Sequence, residues 1–180
     1  MTIQLVVVCD IFCSQQRHSG DPVNARRRFR VEARPSWYRN GKYTSPQGTG
    51  GGCINPGPFA NTTLHFKYFD GVTDLFTGHK LEHALHCLTR DLNNEIATEY
   101  NSQARIDDLL ASPDIATFQS KIFDFTRDTS IMGLHNGGHY ALGKDMHNQF
   151  PSPSDPVFYL HHAEIDNMYA QWQAKDLETR

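Results

Sequence analysis

Asp155-Pro156-Val157-Phe158-Tyr159-Leu160-His161-His162-Ala163-Glu164-Ile165-Asp166 is the stretch on which the reading of this chain turns. Ser154-Asp155-Pro156 reads as a helix start, a capping side chain with a proline that suits the first turn. Beyond it Phe158, His162, Ile165, Tyr169 and Trp172 recur at intervals of 4, 3, 4 and 3. That is one face of a helix about four turns long. A histidine inside an apolar stripe is ordinarily a core residue. His161 and His162 both lie near the stripe, and the helical wheel does not choose between them.

Working outward, the next histidines upstream on a helical pattern are His135 and His139. Four residues apart on a helix, both imidazoles face the same way and can reach one ion. Between them stand Gly137 and Gly138, each of which weakens a helix by roughly 1 kcal/mol. Two glycines beside two histidines imply that something approaches the backbone closely. Two antiparallel helices would bring His135, His139 and a histidine of the 155–166 stretch together. Three neutral imidazoles suit copper or zinc rather than calcium or magnesium. The zinc-protease pattern needs a glutamate after the first histidine, and that position is Asn136, so peptide hydrolysis is disfavoured. A zinc hydrolase with three histidines and a water remains an alternative from spacing alone.

The rest of the chain frames these residues. Ser112-Pro113-Asp114 predicts another helix start, with Ser112 as cap, followed by the stripe Ile115, Phe118, Ile122 and Phe125. Leu81, Leu85 and Leu88 fall at i, i+4 and i+7, which predicts helix from residue 79 onward, and Thr62 to Phe66 reads as a short strand. Residues 14–52 read as irregular and end in the turn-rich run 45–52. Seventeen basic against twenty acidic residues leave a formal charge of -3, which argues against nucleic acid or an anionic membrane as partner. The apolar run from Ile3 to Cys9 is far shorter than the about 20 residues of a membrane span. It lacks the basic start and small-residue cleavage site of a signal peptide. Ten histidines are the compositional departure, and histidine is the commonest metal ligand.

The 155–166 stretch resembles the second copper signature of tyrosinases and related polyphenol oxidases. The shared form is Asp-Pro, any residue, a phenylalanine, an aromatic, two residues, a histidine, three residues and an aspartate. Leu134-His135-Asn136-Gly137-Gly138-His139 resembles the segment carrying that copper's first two ligands, and Ser152-Pro153 and Trp172-Gln173 also match. Gly50-Gly51-Gly52-Cys53, Gly57-Pro58-Phe59 and His86-Cys87-Leu88 resemble a linker of fungal members. The resemblance implies a mainly α-helical, partial di-copper bundle with an irregular N-terminal region. It divides the chain into an unmatched segment 1–52 and the C-terminal half of a copper domain, 53–180. It implies His135, His139 and His162 as copper ligands, Phe158 packed against their rings, and Asp166 supporting His162. Copper is the implied cofactor. The implied reaction is oxidation of o-diphenols, with or without hydroxylation of monophenols, to o-quinones by dioxygen.

The family uses two coppers with three histidines each, and the signature of the first is not found here. Expectations therefore include an inactive or truncated paralogue holding one copper or none. His79, His83 and His86, at 4 and 3 spacing, are candidates for a substitute site, against the plainer reading of an exposed or partly buried helix face. Asn136 matches a family position linked to deprotonating monophenols, but Thr126 stands where its glutamate partner is expected. Cys53 and Cys87 are expected to form a disulfide, with Cα atoms within about 7 Å. With the sequon at Asn61 they lean towards export. Cys9 and Cys13 are expected to be unrelated to the site.

Overall fold

The computed structural model describes residues 38–39, 42–43, 48–55, 57–66, 83–123, 125–126, 131–148 and 151–178. Cys9, Cys13, His18 and His79 lie outside them, and with His79 one member of the substitute-site expectation. Three small antiparallel pairs occur: β1 (Tyr38–Arg39) with β2 (Lys42–Tyr43), β3 (Thr63–Phe66) with β4 (His83–Cys87), and β5 (Phe125–Thr126) with β6 (Ile131–Met132). The helices are α1 (Asn94–Tyr100), α2 (Gln103–Leu110), α3 (Ile115–Phe123), α4 (Leu134–Leu142), α5 (Lys144–His147) and α6 (Val157–Gln173). The described chain is mostly helical, and α6 is its longest element.

One predicted helix is a strand. Residues 83–87 form β4, paired to β3 with Thr63 opposite Cys87 and Leu64 opposite His86. Leu85 is 63% exposed and Leu88 1%, so the leucine spacing marks no common face. Long-range pairing, and a disulfide from Cys87 to Cys53, outweigh a short apolar period in a segment with no cap. The two Cα atoms are 5.5 Å apart. Asn61 is exposed in the turn before β3 with φ of 64°, a conformation asparagine tolerates.

The helix after Ser112 does form, but the cap is displaced. Asp114 Oδ1 accepts the Thr117 N–H at 2.7 Å, whereas Ser112 is fully buried. Ser112 instead offers its carbonyl to the indole N–H of Trp172 at 2.8 Å, which ties the start of α3 to the end of α6. Phe118 and Ile122 of the predicted stripe are buried, while Ile115 is exposed and Phe125 already belongs to β5.

The main core joins Ile106 and Leu109 of α2, Phe118 and Ile122 of α3, Leu134 of α4, and Met168 and Trp172 of α6. The rings of Phe118 and Trp172 lie 4.8 Å apart. Aromatic side chains of this size bury roughly 150–250 Å², about 4–6 kcal/mol of transfer free energy each before entropy is counted. A second cluster joins Ile96 and Tyr100 of α1 to Met132. Helix α4 lies between the two clusters and carries the histidine pair on the side towards α6.

The start of α6 is held by a buried ion pair. Asp155 and Arg90 meet through two parallel bonds of 2.8 and 2.6 Å. The same carboxylate accepts the Val157 N–H at 2.9 Å, so one side chain both caps α6 and anchors it to the segment after β4. The fully buried line on α6 runs Val157, His161, Met168 and Trp172, rotated slightly from the predicted stripe. That rotation buries His161 and leaves His162 half-buried at the edge.

Candidate metal centre

His135 and His139 project from successive turns of α4, and His162 from the first half of α6. One ring nitrogen from each lies within 4.8 Å of the others. His139 Nε2 and His162 Nε2 are 3.2 Å apart. Nitrogens bound tetrahedrally at about 2.0 Å would be about 3.3 Å apart, so this pair already has the spacing of two ligands. Bringing His135 to the same spacing takes a movement of at most about 1.5 Å. The ring centroids of His135 lie 4.8 Å from His139 and 5.0 Å from His162.

What aims the rings is mostly backbone. His139 Nδ1 donates to the Met146 carbonyl at 2.7 Å, which leaves its Nε2 lone pair facing the cluster. The Met146 carbonyl is itself fixed, because neighbouring Asp145 is fully buried. Asp145 accepts from His86 Nε2 and from the Thr89 backbone, both at 2.8 Å, and from the Thr89 hydroxyl at 2.7 Å. His86 is thus a tether between β4 and α5.

Phe158 stacks on His162 with centroids 4.0 Å apart and meets His139 edge-on at 6.0 Å. Phe123 meets His135 edge-on at 5.4 Å. Asp166 does not reach the cluster: it stands exposed, and no hydrogen bond joins it to a histidine among the described residues. His162 instead packs its ring on Phe158, one turn earlier. Asn136 donates from Nδ2 to the Phe123 carbonyl at 3.1 Å, pinning α4 to the end of α3.

His161 has a separate task. Its ring is 3% exposed, donates from Nε2 to the His135 carbonyl at 2.9 Å, and lies against Gly138. A Cβ at Gly138 would fall inside 3 Å of three atoms of that ring, and one at Gly137 inside 3 Å of Tyr100 Cβ. The glycine pair is where α1 and the His161 ring press on α4 from two sides. Sequence reasoning left His161 open and did not find Arg90, Asp145 or the Met146 carbonyl. Only the two glycines signalled the close approach.

The cluster is electrically neutral at neutral pH. Burial, with the neighbouring charges of His139 and His162, lowers the His135 pKa to about 4, against a small opposing effect of the Asn136 hydrogen bond. Burial lowers His139, against the Met146 hydrogen bond, and burial lowers His162. Burial, chiefly, takes His161 to about 3. Three uncharged imidazoles with lone pairs converging are a donor set for copper or zinc, and no carboxylate or thiolate joins the group among the described residues.

His83 and His86 do not share this geometry. His83 meets His65 at 3.1 Å while His86 is held by Asp145 at 2.8 Å, so the two rings do not converge on one point.

A helical domain with three histidines converging from two helices is the architecture of a metal centre built across a bundle. Residues 21–175 match the sequence model of the common central domain of tyrosinase, so the span begins ahead of the first motif. The chain belongs to the tyrosinase family. It is 38% identical over 168 residues to Oxidase hkm6 of Aspergillus hancockii, covering 90% of this chain and 56% of that protein. It is 37% identical over 136 residues to Tyrosinase P of Aspergillus terreus, covering 74% and 38%. A solved polyphenol oxidase variant from Thermothelomyces thermophila superposes with a TM-score of 0.63 at 36% identity, over 73% of this chain and 35% of that one. The chain therefore spans between about a third and little more than half of these relatives.

Proposed function

We propose that His135, His139 and His162 hold one copper ion, and that this centre serves the oxidation of o-diphenols to o-quinones by dioxygen. The observation that carries the reading is the convergence of three neutral imidazole nitrogens. Family membership favours copper over zinc. Bound copper supplies a one-electron couple, so a two-electron oxidation of a catechol calls for a second centre. The described residues contain one three-histidine group. The division at residue 52, with 53–180 as the half that carries this copper, is part of the same proposal.

The protein's own residues do the positioning. The Met146 carbonyl holds the Nδ1 proton of His139, and the His135 carbonyl holds that of His161 Nε2. Phe158 excludes water from one face of His162. Asn136 pins α4 to the end of α3 through the Phe123 carbonyl, and Thr126 in place of its glutamate partner favours diphenol oxidation over monophenol hydroxylation. The bonded Cys53–Cys87 pair and the exposed Asn61 support an oxidising compartment.

The test is copper reconstitution of the 180-residue chain. One tightly bound Cu(II) per chain, visible by electron paramagnetic resonance, with little or no catechol turnover, is the expected result. His139→Ala should abolish the signal of that tight site. Catechol turnover near ordinary enzymatic rates would overturn the single-centre reading, and no tight copper would overturn the ligand assignment.

A further inference from the structure

Among the described residues outside the three-histidine centre, one other pair of imidazoles meets, and it does so in the open. His65 Nδ1 and His83 Nε2 are 3.1 Å apart, with ring centroids at 5.2 Å and planes inclined by 56°. Both side chains are exposed, so the meeting is not a consequence of core packing. We infer that the β3–β4 hairpin carries a second cation site, in which His65 and His83 bind one Cu2+ or Zn2+ ion with water completing the shell.

The strand geometry produces the pair. Leu64 faces His86 and Phe66 faces His83, so Ala84 and Leu85 together oppose the single residue His65. Such a bulge bends a strand and re-aims its side chains. Here it draws His83 one position closer to His65 than an unbroken ladder would. The disulfide from Cys87 to Cys53 ties down the other end of β4, opposite Thr63, and limits the freedom of the hairpin.

The spacing suits a cation better than a proton. Two nitrogens at about 2.0 Å from one ion, with an angle near 100°, are about 3.1 Å apart. An exposed imidazole–imidazole hydrogen bond competes with water and contributes little. A cation replacing the shared proton engages both lone pairs at once. Imidazole ligands without a carboxylate select copper or zinc over calcium or magnesium. The site is separate from the first: among the described residues no hydrogen bond or ring contact joins the two groups. His86, on the same strand, is engaged with Asp145 and takes no part.

The experiment is a Zn2+ titration of the full chain with its disulfide intact, read by histidine imidazole NMR signals. The signals of His65 and His83 should move together and saturate at one ion for the pair, distinct from the ion at His135, His139 and His162. His83→Asn, an exposed substitution, should weaken the His65 response at least tenfold and leave the three-histidine signals unchanged. A near-UV circular dichroism spectrum like that of the wild type shows that the fold is kept. His65→Asn should weaken the response of His83 equally, so either variant suffices if the other fails to fold. Independent movement of the two signals, or an unchanged isotherm in the variant, would overturn the proposal and leave only a surface hydrogen bond.

Discussion

Gly138→Ala is the substitution for which helix propensity and packing disagree. Alanine is favoured over glycine inside a helix by about 1 kcal/mol, so α4 alone would gain from the change. The new Cβ, however, would lie 2.7 Å from Nδ1 and 2.9 Å from Nε2 of His161, with Cε1 nearer still. That ring is 3% exposed and bonded to the His135 carbonyl, so it cannot swing into solvent. Overpacking costs typically 1–3 kcal/mol, and an orphaned buried imidazole N–H about 1–3 more. Net of the propensity gain, the loss is about 3 kcal/mol, or roughly 6–12 °C in melting temperature for a domain of this size. His161 adjoins His162 and rests on the backbone of His135, so copper affinity should fall about 10–100-fold, as when other supports of metal ligands are lost. The assay is thermal unfolding of the copper-free chain together with copper titration. Gly137→Ala is the control: it collides with Tyr100 Cβ and Asn101 rather than His161. It should lose stability while keeping copper affinity within about twofold. A Gly138→Ala protein that melts no lower than wild type and binds copper as tightly would refute the packing argument.

Arg90→Met strands the Asp155 carboxylate, which is fully buried, and should cost about 3–5 kcal/mol in urea unfolding. If the midpoint stays put, Asp155 has found another partner. The copper-free chain should lose stability as pH falls below about 6.5, the ordinary histidine value. Unfolded histidines take up protons there while His161 stays neutral down to about 3 and His135 to about 4. His161 alone accounts for about 2 kcal/mol between pH 7 and pH 5, and stability flat across that window would count against its burial. Replacing Cys53 and Cys87 by serine opens a loop of 34 residues and should cost up to about 4 kcal/mol, measured by urea unfolding of the two forms. A loss under about 1 kcal/mol would mean that the hairpin is held by its strand pairing alone.

The helices α3 and α6 were legible because periodicity and a start signal agree along them, and α4 through the spacing of its two histidines. The 83–87 segment was misread for want of the same agreement: its leucines imitate a helix, but no cap precedes them, and the cysteine that decides its conformation pairs 34 positions away. At the centre, spacing set out His135 and His139, and the family pattern chose His162. The placing of Asp166 beside His162 did not hold, because one-turn spacing fixes the position of a Cα and not the lean of a side chain. The supports of the rings were out of reach altogether. A carbonyl has no letter in the sequence, and Arg90 meets Asp155 across 65 positions with no local signature.

That two of the clustered rings are braced by carbonyls has an evolutionary side. Met146 lends the centre its backbone while its side chain, with no exposed surface, fills the interior. The two duties are separable. Another apolar residue at position 146 can drift in without erasing the acceptor, because no codon change removes a main-chain oxygen. The brace is vulnerable through residues that set where that backbone runs: Asp145 beside it, and His86 and Thr89 more than fifty positions upstream. The durability of the centre therefore rests on a lineage keeping one short upstream segment in step with Asp145.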